Sequence, residues 1–402
     1  MGEGAIEAVK RLMMVAATLF LLLSALAFNS PMVVKSKTNE ASFIIKTSVT
    51  YYNNGTENWV FTDEDRAIGL FMNNTWQTVN LTYRSHPLEL DVDDDGNPIA
   101  FLEFPKTEIE PGENMSYAVT YYALSKPRLL PDIREEDSRT LDDIPEELIE
   151  RYCGESDPWL VDDSELQDLA YDITNGETKV LTIVKKFITW IRDNVRYDTQ
   201  DTPRYPNETY TERKGDCDDQ AILFITLCRI LEIPSYLQIG CIYLPTHFDD
   251  SEYWNGHVKS VLKRIGWHGW AIVYVPPWRW LPVDLTYVIG GFGDPLNAIK
   301  KGAVTSQTTL QYMNISQTDY AASSRLYRDF LKNNHFYVYA QDEMTRMLPE
   351  SPLHGIIEKL FPWILVTTIV VVAVIITTIF VWTRREKRLK ETEFKHDSSY
   401  ES

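Results

Sequence analysis

The chain has 402 residues, 44% of them apolar and 12% aromatic, with a formal net charge of −19. That is length for about two to three domains, and the composition is that of a folded chain and not of a disordered one. The acidic balance, without clustered Lys and Arg in the long middle segment, excludes nucleic acid as a partner, because phosphate binding needs such clusters; adaptation to salt is another cause of such acidity.

Residues 12–28 are an almost uninterrupted apolar run behind Lys10 and Arg11, of a length between a signal-peptide core and a full membrane span. With Ala25 and Ala27 offering a cleavage site, residues 1–36 are either a signal peptide or an N-terminal membrane anchor, and the flanks do not decide. From 37 to 125, alternating runs at 43–52, 77–83, 99–104 and 116–122 separated by turn residues predict a small β-sandwich. Within it, DVDDDGN at 91–97 has the look of a calcium loop, but the twelfth position is Leu102 and the Glu comes one place late, at Glu103. A hairpin turn is the expectation there and a calcium site the alternative. Residues 126–163 are acidic and short of periodic apolar positions, which predicts a solvated connector.

Ser164 then opens a helix, with Gln167 completing a capping box and Asn175 and Gly176 ending it. A second amphipathic helix turns Val180, Val184, Phe187 and Ile191 inward. The stretch GDCDDQAILFITLCRILEI at 215–233, stopped by Pro234, is apolar nearly all round and predicts a buried core helix. Asp216 is its expected N-cap. Cys217 sits in the first turn, where unpaired N–H groups and the helix dipole favour a thiolate, although a lone cysteine on a helix is more often a small buried hydrophobe.

Downstream, HGWAIVYVPPWRWLPVDLTY at 268–287 predicts two strands joined at Pro276 and Pro277. A turn centred on Pro276 sets His268 directly opposite Asp284. A carboxylate beside a histidine fixes its tautomer, and a histidine beside a thiol takes its proton, so Cys217, His268 and Asp284 are the candidate catalytic residues. Spacing alone does not give the distance from Cys217 to His268. His257 also follows Cys217 but lacks a facing carboxylate, and His247 stands in a predicted loop. Residues 294–347 carry a helical pattern around Tyr327 and Phe330 and read as a subdomain closing over the core, so the catalytic domain is taken as 164–347.

These residues resemble the transglutaminase-like core, a papain-related cysteine fold. The blocks that carry the resemblance are WIRDNVRYD at 190–198, GDCDDQA at 215–221, LCRILEIPS at 227–235, and HGW at 268–270 followed by WLPVDLT at 280–286. The resemblance spans 164–295 and implies a nucleophilic Cys217 at a helix N-terminus, with His268 and Asp284 on neighbouring strands of an antiparallel sheet. Two departures are Gly269, where relatives commonly carry Ala, and the acidic pair Asp218 and Asp219, whose charge opposes thiolate formation.

Residues 361–383 predict a transmembrane helix, bracketed by Trp363 and Trp382 and followed by Arg384, Arg385, Lys387, Arg388 and Lys390. That cluster belongs in the cytoplasm, making 384–402 a cytoplasmic tail and placing the segment between the two apolar runs outside the cell. Sequons at Asn54, Asn73, Asn80, Asn114, Asn207 and Asn314 all fall in that segment. Cys217 and Cys228 stand about 16 Å apart along one helix and cannot be bridged, whereas Cys153 could pair with Cys228 or Cys241. Nothing suggests zinc, and neither a metal nor a cofactor is expected. The fold class expected is α+β: a β-sandwich, then the transglutaminase-like core, with membrane segments at the termini. The expected function is a membrane-anchored, extracellular thiol enzyme acting on peptide or protein amides through a thioester. Hydrolysis is favoured over cross-linking because water needs no second binding site. The rival is a catalytically inactive surface module for binding or envelope architecture.

Overall fold

Alternating apolar and polar side chains suit a pleated surface with one wet face. In the computed structural model, which describes residues 40–154, 157–347, 377–378, 380–381 and 383–385, the first such run is strand β1 (Ala41–Asn53), burying Phe43, Ile45, Val49 and Tyr51. It belongs to an eight-stranded sheet with β2 (Gln77–Arg84), β3 (Asn114–Ser125), β4 (Ser235–Tyr253), β5 (Val258–Val275), β6 (Arg279–Val283), β7 (Thr309–Ile315) and β8 (Phe336–Met347). The strand order is β7-β4-β5-β8-β1-β3-β2, with β6 paired to the C-terminal end of β5. Within this sheet only β5 and β8 run parallel, with Val258 opposite Val338 and Lys263 opposite Glu343.

Residues 336–347, read from the sequence as part of a closing subdomain, therefore lie between β1 and the strand that carries His268. Backbone donors and acceptors along β1 and β5 find partners in β8 that an edge strand would leave to solvent. Asn39–Leu348 form one compact unit. Part of its core lies between the large sheet and a small three-stranded sheet (67–69, 98–102 and 88–92), where Phe43, Ile45, Trp59, Ala100, Leu102 and Phe336 meet. His247, expected in a loop, falls within β4, at a break in register between Tyr243 and Phe248.

The other part of the core is built on helices α1 (Ser164–Thr174), α2 (Val180–Asn194), α3 (Pro206–Glu212) and α4 (Cys217–Ile230). Helix α5 (Tyr320–Asn334) confirms the pattern around Tyr327 and Phe330. The N-cap of α1 is Asp163 and not Ser164: its carboxylate accepts from Glu165 N at 3.0 Å and Leu166 N at 3.2 Å. A charged acceptor suits the positive end of the helix dipole better than a hydroxyl does. Asn175 ends the helix in the left-handed region at φ 49°. Helix α2 buries Val180, Val184, Phe187 and Ile191. Helix α4 is buried from Asp219 through Arg229, as its all-round apolar pattern requires. Each fully buried side chain such as Leu223, Phe224 or Leu227 contributes about 1.5–3 kcal/mol.

The acidic stretch before α1 is not solvated throughout. Ile144 and Trp159 are buried in the helical core, and the Trp159 indole N–H donates to Ser316 O at 3.0 Å. A few apolar anchors at irregular spacing dock it, which no periodicity search detects. Among the described residues no helix is long and apolar enough to cross a membrane. The predicted segment 12–28 lies outside the described residues, as do 361–376 and most of the predicted tail.

Candidate active site

Helix α4 begins on a capping arrangement that the GDCDD sequence makes possible. Asp216 is the N-cap, in extended conformation, and its carboxylate accepts from Asp219 N at 3.4 Å while Asp216 N donates to Asp219 Oδ2 at 3.2 Å. Gly215 is required beneath it, because a Cβ there would lie 2.6 Å from Asp219 Cβ. Cys217 is the first helical residue, so its sulfur stands at the open N-terminal turn.

His268 lies on β5, 7% exposed, and Asp284 follows directly after β6, fully buried. The hairpin register differs from expectation: Ala271 faces Val283 and Val275 faces Arg279, which centres the turn on Pro277. A shift of two residues keeps every side chain on its face, so His268 and Asp284 meet diagonally instead of directly across. His268 Nε2 lies 3.0 Å from Asp284 Oδ2. That contact assigns the ring proton to Nε2 and leaves Nδ1 to serve as base.

The Asp284 carboxylate is held from every side. Its Oδ2 also accepts from Ala303 N at 2.9 Å, and its Oδ1 accepts from Thr286 N at 3.2 Å and Tyr287 N at 2.9 Å. Gly302 allows this approach, since a Cβ there would sit 2.6 Å from Asp284 Cβ. Thr286 N and Tyr287 N form a local turn on the carboxylate, whereas no sequence motif announced Ala303 N, which comes from a loop 19 residues downstream.

The strand and the helix meet at Gly269. A Cβ on Gly269 would lie 3.1 Å from Asp218 Cβ and 3.3 Å from Asp218 Cα, so the departure from Ala at this position goes with Asp218 on the facing helix. The backbone N–H groups of Gly269 and Asp218 both act to lower the Cys217 thiol. Since Gly269 follows His268 directly, its packing against Asp218 sets the strand bearing the imidazole against the first turn of α4.

The electrostatics run against the simple helix-dipole expectation. Burial pushes the Cys217 thiol well above its ordinary range, the charges of Asp218 and Asp216 push it further, and the two backbone donors only oppose this. The thiol's hydrogen bond goes to Asp218 Oδ1 at 3.8 Å and not to His268. Asp216 is pushed up to about 8 by burial and then by Asp218 beside it. Asp219 is pushed up to about 6 by burial and then by Asp216, against the hydrogen bond from the Arg204 backbone. Burial and the neighbouring carboxylates thus favour the protonated Cys217 thiol.

Other candidates resolve differently. His257 Nδ1 is 2.8 Å from Phe336 O and its ring stacks on Tyr337 at 4.4 Å, a structural role at the start of β8. All four cysteines are free, so no Cys153 pairing forms. The 91–97 stretch is a hairpin turn: Asp93 accepts from Asn97 N at 2.7 Å, and Asp95 Oδ1 accepts from Ser316 N at 2.9 Å and Gln317 N at 2.7 Å. The carboxylates of Asp93 and Asp95 are spent on the protein's own donors. Asp216, Cys217 and Asp218 present ligand atoms within 4.8 Å of one another, but a cation there would occupy the nucleophile itself.

A model of the transglutaminase-like superfamily matches residues 167–285. No curated protein is significantly similar to the chain. Among solved structures, the chain is similar to a cysteine protease candidate from Cytophaga hutchinsonii, at 17% identity over 78% of this chain and 93% of that one, with a TM-score of 0.49. It is also similar to the periplasmic domain of TgpA from Pseudomonas aeruginosa bound to ethylmercury, at 11% identity over 65% and 92%, with a TM-score of 0.30. Red sea bream transglutaminase follows at 10% identity over 64% and 49%, with a TM-score of 0.24. Likenesses at these scores carry no argument about activity, and the assignment stands on the sequence match. Residues 167–285, which hold Cys217, His268 and Asp284, belong to the transglutaminase-like superfamily.

Proposed function

We propose that the protein is a membrane-anchored thiol enzyme whose catalytic domain faces outward and acts on peptide or protein amides. The observation that supports the reading is the buried His268–Asp284 pair, on a strand whose Gly269 packs against Asp218, the neighbour of Cys217 on the facing helix. His268 Nδ1 takes the thiol proton as sulfur attacks the amide carbonyl, and the charge formed on the carbonyl oxygen faces the helix N-terminus, where the Cys217 N–H is a donor. The imidazolium, steadied by Asp284, then returns the proton to the leaving amine. A thioester remains, and water or a second amine resolves it. Hydrolysis is the simpler outcome, because it needs no acceptor site.

A second reading, a binding module that has kept the fold, draws support from the raised thiol and its hydrogen bond to Asp218. Labelling the full chain with iodoacetamide across pH, then screening peptide amides with and without an amine, separates the two. A thioester trapped on Cys217 and lost in Cys217→Ala is the expected result. No thioester with any substrate, together with labelling no faster than that of an ordinary thiol, overturns the enzyme reading and leaves binding. The orientation rests on the basic cluster after Trp382. Protease added outside intact cells should cleave between residues 40 and 355 and spare a C-terminal epitope. Loss of that epitope would reverse the topology.

A further inference from the structure

Four acidic groups crowd the first turn of α4: Asp216, Cys217, Asp218 and Asp219. Asp218 Oδ1 accepts from the Cys217 sulfur at 3.8 Å, whereas Asp219 is fully buried beneath Gly215 and meets a cation there. That cation is Arg204, 6% exposed, in the loop before α3. Its backbone N donates to Asp219 Oδ1 at 2.7 Å and its Nη1 to Asp219 Oδ2 at 3.2 Å, while Nη2 reaches Glu212 at 3.1 Å and lies 3.9 Å from Asp198. Lys214 bridges the same two outer carboxylates, at 3.5 Å from Asp198 and 3.4 Å from Glu212. The loop is held in turn by Arg325, which donates to Pro203 O at 3.2 Å and pairs with Glu208.

Resting on the thiol-enzyme reading, we propose that Arg204 is a positioning residue: it offsets the Asp219 charge and fixes that carboxylate under the N-cap, so that Cys217 can ionise in an otherwise acidic turn. The physical reason lies in how Asp219 Oδ2 is shared. It accepts both from the Arg204 guanidinium and from Asp216 N, the N-cap backbone itself. Without the cation, Asp219 would either take a proton, turning one acceptor oxygen into a donor beside the cap, or stay charged and repel the thiolate. Lysine reproduces the charge but not the planar fork that spans Asp219 and Glu212 together.

The test follows Cys217 alkylation by iodoacetamide against pH, read by mass spectrometry on its peptide, in the full chain carrying Arg204→Gln, Arg204→Lys, Asp219→Asn or Arg204→Gln with Asp219→Asn. Arg204→Gln is expected to move the alkylation midpoint upward by about one pH unit, with an approximately tenfold slower rate at neutral pH. Arg204→Lys should recover part of this, and the double variant should return toward the parent, because neither partner is then charged. Asp219→Asn alone removes a carboxylate from the turn and leaves Arg204 with only the outer Glu212 and Asp198, so the midpoint should move downward and the proposal stays testable if Arg204→Gln does not fold. A folded Arg204→Gln with the parent profile, a double variant no better than the single one, or an Asp219→Asn midpoint that fails to fall would each overturn it. Alkylation reads the thiol and not turnover. The role of Arg204 can therefore fail in an active enzyme, and the enzyme reading can fail with the Arg204 effect intact.

Discussion

At the scale of single residues, Asp284 separates a catalytic constellation from three neighbours. Asp284→Asn replaces one acceptor oxygen by an NH2 group and favours the wrong histidine tautomer, so turnover should fall by about a hundred- to a thousand-fold. That is less than the roughly ten-thousand-fold loss in the serine-protease case, because a thiol is the better nucleophile. The substitution is not structurally silent, since three backbone N–H groups also end on this buried carboxylate. Unfolding measurements should show a loss of about 1–3 kcal/mol. Unchanged turnover in a folded variant would remove Asp284 from the mechanism. Asp218 acts in the opposite sense. Its charge raises the thiol and its oxygen holds the thiol proton, so Asp218→Asn should speed Cys217 alkylation near neutral pH by about tenfold, measured against the parent. A slower variant would show that Asp218 assists ionisation.

At the scale of elements, the nucleophile helix is also the centre of the core. Phe224 is fully buried on it, and Phe224→Ala should cost about 3–5 kcal/mol in denaturant unfolding, while Phe224→Asp should abolish cooperative unfolding because a carboxylate there has no partner. An unchanged melting curve for Phe224→Asp would place that face of the helix in solvent. The hairpin shows how an element can tolerate a wrong register. The expected pairing was two residues off, yet His268 and Asp284 still share a face, because the side-chain period of a strand is two. A slip of one would have separated them.

At the scale of the whole molecule, the acidic turn predicts how stability varies with pH. Asp219 and Asp216 take up protons in the fold up to about 6 and about 8, above the ordinary carboxylate range. The folded state therefore binds more protons than the unfolded one across this window. Their contribution is full below pH 4 and is lost as pH rises through about 6 and then about 8, by on the order of 3 kcal/mol for the buried Asp219. Asp95 works the other way: burial raises it, but hydrogen bonds from Thr318, Ser316 and Gln317 win, so its contribution is present above the ordinary carboxylate range and lost in acid. Melting temperature should fall between pH 5 and pH 9, and Asp216→Asn should flatten the upper part of that decline. A melting temperature that rises over this interval would contradict the raised Asp216 and Asp219.

Much of this protein was legible in its sequence. The all-round apolar pattern after GDC made α4 a core helix, the alternating runs at 43–52 and 116–122 became β1 and β3, and the meeting of His268 with Asp284 was read from local chemistry and order. Local periodicity suffices for these, because each element's buried face is written in consecutive residues. The placement of β8 between β1 and β5 was not written locally, since strand neighbours are chosen by unpaired edges far apart in the chain. The docking of Trp159, the backbone clamp on Asp284 and the burial of Arg204 against Asp219 share that origin. The state of the nucleophile was decided last of all. Sequence placed a cysteine at a helix N-terminus and implied a thiolate, but the protonation of that sulfur depends on burial and on the distances to two carboxylates, which only the folded chain sets.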